Sequence, residues 1–222
     1  MITVAIDGGA ATGKGTLAQR LAKAYDLAYL DTGALYRAVA YDVMNAGYGP
    51  DNEEVAIKSA LALPADKIGQ IQANPAIRDE KYGTGASKVS QIPAVRQALL
   101  DFQRRFADSP CHIDGSPAKG AVLDGRDIGT VICPNADLKV FLTASAEIRA
   151  KRRYKELQLR KIYAIYEDVL SDVIARDKRD TERKMAAMKP ADDAFVLDTS
   201  DLTPDEVFAA VAERLEQKMC GK

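Results

Sequence analysis

Lys14 closes a run of small residues, Gly8-Gly9-Ala10-Ala11-Thr12-Gly13, and is followed by Gly15 and Thr16. The run fits G-x-x-x-x-G-K, and the chemistry it offers is phosphate binding. Glycines let the backbone turn tightly, and the lysine adds a full positive charge that can reach outer phosphates. The N–H groups of Gly13 to Thr16 would face phosphate oxygens, aided by the positive end of a helix dipole. Such a match carries weight only between a strand and a helix. Ile2 to Asp7 is an apolar, β-branched run that reads as a buried strand. Leu17 and Leu21, four apart, predict a helix with one apolar face. Gly15 departs from the commonest form, since Ser or Thr usually stands there to contact Mg²⁺. The hydroxyl comes one residue later, at Thr16.

Other groups suited to phosphate lie further along. Asp31 or Thr32 can cap a helix running to about Ala46, so the Thr32 hydroxyl and the Arg37 guanidinium one turn on could share an anion. Asp124 ends an apolar strand, the usual place for a carboxylate near the metal of a P-loop protein. Arg149, Arg153 and Arg160 fall on one face of a basic helix. That face fits a solvated surface, or a cationic lid over polyphosphate. Arg176, Asp180 and Arg183 share a face if their helix continues, which fits surface ion pairs or an anion site. Arg96 stands off the apolar stripe of Val95, Leu99, Phe102 and Phe106, free to face ligand or solvent.

The elements needed to position these groups are legible in outline. Strands are expected at 28–31, 121–124, 138–142 and 194–198, with helices between them and a last helix marked by Val207, Val211 and Leu215. Strands separated by helices require right-handed crossovers and a parallel sheet, with ligands at the carboxyl ends of the strands. The expected fold is therefore an α/β P-loop core in one domain, residues 1–222. Residues 47–92 are weakly patterned and read as a peripheral insertion.

Composition narrows the function. The 222 residues carry a net charge of −1, so no global field recruits nucleic acid or an anionic membrane. Three dispersed cysteines read as reduced thiols, which fits a cytoplasmic protein, and no secretory or membrane-spanning run is expected. His112, the single histidine, reads as a surface loop residue rather than a zinc ligand.

GGAATGKGT (8–16), DTGALYR (31–37), SKVSQIPAVR (87–96), DGRDIGTVICPNAD (124–137) and RDKRDTER (176–183) resemble the bacterial cytidylate kinases, nucleoside monophosphate kinases of the P-loop class. The family often has Pro where Gly9 stands, Ser where Thr32 stands, and a shorter connection near Ser116 to Lys119. The resemblance implies transfer of the ATP γ-phosphate to CMP or dCMP, with Mg²⁺ carried by ATP near Thr16 and Asp124. It implies an acceptor-binding insertion over 38–96 and a lid over 149–165. Residues 8–16 would hold ATP. Lys14, Arg126, Arg153, Arg176 and Arg183 would be catalytic. Thr32, Arg37, Ser87, Arg96, Arg126, Asp127, Arg176, Asp180 and Arg183 would bind the acceptor. Asp127 and Ser87 would accept from the cytosine amino group while Arg96 donates to the ring. The expected partners are the two nucleotides alone, with the protein a monomer. An adenylate- or shikimate-kinase-like enzyme is the nearest rival. More distant are a GTPase switch, disfavoured by Gly15 and the lack of N-K-x-D, and a nucleic-acid-stimulated P-loop ATPase, disfavoured by the near-neutral charge.

Overall fold

The computed structural model describes residues 1–64, 68–112, 114–183 and 185–221. β1 (Ile2–Gly8) takes the middle of a five-stranded sheet because its apolar run has no polar face; Val4, Ala5 and Ile6 are fully buried. The order is β2–β3–β1–β4–β5, with β2 at Ala28–Asp31, β3 at Gly120–Gly125, β4 at Leu138–Thr143 and β5 at Phe195–Asp198. Every pairing is parallel, and each strand lies within a residue of its expected bounds. Register sets Asp7 level with Gly125 and Asp31 level with Asp124, so these tips share the carboxyl edge.

α1 (Lys14–Tyr25) covers one face of the sheet together with the last helix, α9 (Pro204–Cys220). Leu17, Leu21, Val207, Val211 and Leu215 bury against Val4, Ile6 and Val140. α9 starts at a reciprocal cap in which Thr203 and Glu206 satisfy each other's backbone amides. On the opposite face, Phe106 and Ala107 of α6 (Pro93–Asp108) pack on Leu30, Leu123 and Ile128.

The long connection from β2 to β3 holds α2 (Thr32–Asn45), α3 (Glu53–Ala62), α4 (Ile68–Ala73), a 3₁₀ turn at Pro75–Arg78, α5 (Glu80–Val89) and α6. Asn52, Asn74 and Asp79 each begin a helical segment by accepting a hydrogen bond from an amide two or three residues on. These helices bury a separate cluster that includes Leu35, Val39, Ala56, Val89 and Leu99. Its small residues explain the weak sequence pattern. A Cβ on Gly85 would stand only 2.9 Å from Ala40 Cβ, so α5 and α2 touch through glycine. The expected insertion 38–96 includes residues 65–67, which lie outside the described residues.

α7 (Ala146–Leu159) and α8 (Tyr166–Thr181) bury Ala150, Leu157, Val169 and Val173 between them. Among the described residues no helix is long and apolar enough to cross a membrane, and Cys111, Cys133 and Cys220 are free thiols.

Candidate active site

The glycine loop leaves β1 at Gly8, whose φ of +142° and closeness to β4 exclude a side chain. A Cβ there would lie 2.1 Å from the Leu142 carbonyl oxygen. Gly13, in the left-handed region at φ +93°, then starts α1 with no side-chain cap. The first-turn amides of α1 are thereby left for a ligand. Lys14 is buried, and its ammonium folds back to donate to the Gly9 carbonyl at 2.6 Å. The Thr12 hydroxyl donates to the same carbonyl at 3.0 Å. Burial, then the neighbouring Arg126, pushes the Lys14 ammonium down, while Asp124 pulls it the other way. The loop so built is a cradle for an anion that would restore full charge to its lysine.

Ala10 and Ala11 form the outer bend, with Ala11 at φ +58°, and Thr16 is exposed on the first turn of α1. Below Gly15 the Tyr29 hydroxyl donates to Asp124 Oδ1 at 3.1 Å. Burial and the nearby Asp31 push the Asp124 carboxyl up.

Across the strand tips lies a ring of guanidiniums. Asp31 caps α2 by accepting from the Ala34 amide, and Arg37 reaches back to pair with Asp31. The Thr32 hydroxyl, expected beside that anion site, instead donates to the Asp124 carbonyl at 2.8 Å and ties β2 to β3. Arg126 donates to Asp180 Oδ2 at 2.8 Å and to its neighbour Gly125 carbonyl. α8 ends at Thr181, before Arg183, yet Arg183 still returns to Asp180 at 3.6 Å. Burial raises the Asp180 pKa, but Arg126, Arg176 and Arg183 outweigh it and hold the carboxyl below its usual range. Arg176 forms no ion pair among the described residues, and burial with the adjacent Arg126 pushes it down to about 10. The Nε atoms of Arg37 and Arg176 and Nη2 of Arg183 are buried without a hydrogen-bond partner among the described residues. Unspent donors on crowded cations are what an absent polyanion would satisfy.

Beside the ring, Arg96 of α6 pairs with Asp127 and lies 5.6 Å from the Tyr36 ring centre. Ser87 is buried on α5, and its hydroxyl accepts from Arg179 Nε at 3.2 Å. The segment carrying Asp127 is pinned from below. Asp7 accepts from the Ile128 and Gly129 amides at 2.8 Å each, at the start of a single π-helical turn, Ile128–Ile132. Burial pushes the Asp7 carboxyl up to about 6.

The basic helix α7 splits into two parts. Arg149, expected on the outer face with Arg153 and Arg160, is buried instead. It pairs with Asp177 and donates to the carbonyls of Ala10 and Ala144. Arg149 and Ala150 lie on the buried face of α7, while Ser145 and Glu147 at its start are exposed. Arg152 is held by Thr199, whose hydroxyl also meets the Thr12 carbonyl at 3.3 Å. Only from Arg153 outward does the helix face the insertion, where Arg153 pairs with Glu80 and Arg160 approaches the Arg78 carbonyl at 3.5 Å. Among groups not singled out beforehand, Tyr29 had a sequence signal: it sits two residues from Asp31 in a strand, hence on the same face. Asp177 had none, being brought to Arg149 only by packing.

A parallel sheet whose first strand feeds a glycine loop and an uncapped helix, with cations gathered at the strand tips, is the P-loop class of α/β nucleotide-binding proteins. Comparison with known proteins narrows the class. The family model for cytidylate kinase matches residues 4–217. A cytidylate kinase of Paramagnetospirillum magneticum is 53% identical over 93% of this chain and 94% of its own length. Another, of Bradyrhizobium diazoefficiens, is 47% identical over 99% of this chain and 98% of its own. The chain belongs to the cytidylate kinase family. An uncharacterised protein of Eubacterium ventriosum shares the fold alone, with a TM-score of 0.53 at 15% identity, covering 97% of this chain and 98% of that one.

Proposed function

We propose that this protein transfers the γ-phosphate of ATP to CMP or dCMP, acting as a monomer. The observation that carries the reading is the guanidinium ring with its unspent donors, set across from the phosphate loop. Residues 8–16 hold the ATP phosphates through loop amides and Lys14. Arg37, Arg126, Arg176 and Arg183 hold the acceptor phosphate, with Asp180 keeping the last three together until it arrives. An acceptor phosphate is already ionised at pH 7, so the reaction needs no general base. It needs two polyanions held in line with their repulsion cancelled.

Among the described residues no group of three or more His, Cys, Asp and Glu side chains could hold a metal ion. Such a donor set fits an ion that arrives on the nucleotide, with Thr16 and Asp124 as the protein groups that would face it. Mg²⁺ carried in this way would supply positive charge to the ATP phosphates.

Base choice follows from the pairing of Arg96 with Asp127. A donor beside an acceptor matches cytosine, which offers N3 and O2 as acceptors beside an N4 amino donor. Uracil presents its O4 oxygen where the carboxylate needs a donor. Ser87 adds a hydroxyl on the same side. Residues 38–96 act as the acceptor-binding insertion. Within 149–165 the moving lid begins near Arg153, because Arg149 and Arg152 are fastened to the core.

A coupled assay of ADP release with CMP, dCMP, UMP, AMP and shikimate tests this directly. CMP and dCMP should stimulate turnover strongly and UMP weakly. Stimulation by AMP or shikimate instead of CMP would overturn the reading.

A further inference from the structure

Gly15 deprives the loop of the hydroxyl that most phosphate loops carry directly after their lysine. The fold brings another hydroxyl to the same corner from a different strand. Tyr29 reaches from β2 beneath the start of α1, and its Oη lies 3.6 Å from where a Cβ on residue 15 would stand. Asp124 Oδ2 lies 3.8 Å from that same point. The Tyr29 hydroxyl donates to the other carboxylate oxygen, Oδ1, at 3.1 Å. The corner thus contains a phenol and a carboxylate locked to one another, with Oδ2 turned towards the loop.

We propose that Tyr29 is a positioning residue for the metal side of the ATP site: its hydroxyl fixes Asp124 through Oδ1, so that Oδ2 is presented to the Mg²⁺ that travels with the nucleotide. This rests on the reading of Asp124 as the metal-side carboxylate. The second carboxylate nearby, Asp31, is engaged by Arg37, whereas Asp124 forms no ion pair among the described residues. A freely turning carboxylate would exchange its two oxygens. One held by a fixed donor offers the same oxygen each time, and an ordered ligand costs less to engage.

The test is Tyr29→Phe, which keeps the ring and removes only the hydroxyl. Binding of ADP is followed by calorimetry across a Mg²⁺ titration, with no turnover needed. The Mg²⁺ concentration at half effect should rise about tenfold or more, the size expected for losing one hydrogen bond to a charged group. ADP affinity in EDTA and the melting temperature should stay at wild-type values. Asp124→Asn should raise the Mg²⁺ midpoint at least as far, and adding Tyr29→Phe to it should change nothing more. A wild-type midpoint in Tyr29→Phe beside a shifted one in Asp124→Asn overturns the role of Tyr29 alone. Unshifted midpoints in both variants overturn the reading of Asp124 as well. A Tyr29→Phe protein that loses ADP affinity equally with and without Mg²⁺ shows a structural tyrosine and also overturns the proposal.

Discussion

The phosphate loop and the guanidinium ring face each other across the strand tips, and they are held in different ways. The loop is one contiguous stretch closed on itself: Lys14 and Thr12 both bond the Gly9 carbonyl, and Gly8 fits where no side chain could. Its positive character comes mostly from backbone amides, which need no counter-ion. The ring is assembled from α2, α6, the tip of β3, α7 and α8, and its charges are whole guanidiniums. Most are matched to a carboxylate: Arg37 to Asp31, Arg96 to Asp127, Arg126 and Arg183 to Asp180, and Arg153 to Glu80. Buried full charges are costly without partners, whereas oriented dipoles are not. A site that must stand ready for two polyanions therefore pairs most of its ring guanidiniums with carboxylates, while the loop amides need none.

The sharpest way to break that contrast is to remove the central charge from each side. Lys14→Met should lower kcat by about three orders of magnitude, since a preorganised cation on the transferred phosphoryl group is lost. Its melting temperature should not fall, because burial already disfavours the ammonium. A drop in calorimetric melting temperature would mean that the loop, too, is held together by charge.

Asp180→Asn should do the reverse to stability. Removing the carboxylate leaves Arg126, Arg176 and Arg183 buried together, at a cost of about 3–5 kcal/mol. For a chain of this size that lowers melting by on the order of 10 °C. The sign with pH is fixed by the depressed Asp180 pKa. Its contribution is present above the ordinary carboxylate range and is lost as pH falls through the lower folded value. The wild-type advantage in urea unfolding should be full at pH 7 and shrink below about pH 4. An advantage that stays constant down to pH 3 would show that Asp180 acts through packing alone.

A smaller effect separates binding of phosphate from choice of base. Asp127→Ala should reduce kcat/KM for CMP about tenfold to a hundredfold relative to UMP, by loss of the acceptor opposite the cytosine amino group. Equal losses on both substrates would make Asp127 merely the partner of Arg96.

The same contrast explains what could be read from the sequence. The loop was legible because its residues are consecutive and its strand and helix carry strong apolar patterns. The sheet was legible for that reason also, with β3 buried throughout and β1 buried at every residue but Thr3. Residues of the ring could be singled out, from spacing and from the resemblance of DTGALYR, DGRDIGTV and RDKRDTER, but not their partners. Helical spacing placed Arg149 outward with Arg153, while packing against β4 turned it towards Asp177 and the loop. Thr32 has the hydroxyl the motif requires, yet its donor goes to the Asp124 carbonyl, a contact across 92 residues that no local pattern encodes. In α3 the buried residues are alanines, and in α5 Gly85 and Ala86 lie among them, which leaves little periodicity to detect.

The smallest expected effect concerns the outermost cation. Arg153 lies on α7, past the point where Arg149 and Arg152 fasten that helix, and pairs with Glu80 at the start of α5 and with Glu156. Half of the Glu80 side chain is exposed, so water competes for the pair and its loss should cost less than about 0.5 kcal/mol. A carboxylate on Arg153 nevertheless competes with incoming phosphate for the same guanidinium. Glu80→Gln should therefore leave the melting temperature unchanged and tighten ATP binding by about twofold, within what a screened surface pair can supply. Equilibrium titration of ATP at low and high salt reads both parts, and the gain should vanish at high salt. Weaker binding in Glu80→Gln would mean that the glutamate helps hold the lid in its productive position, and the outer ring would then be built for closure rather than for neutralisation.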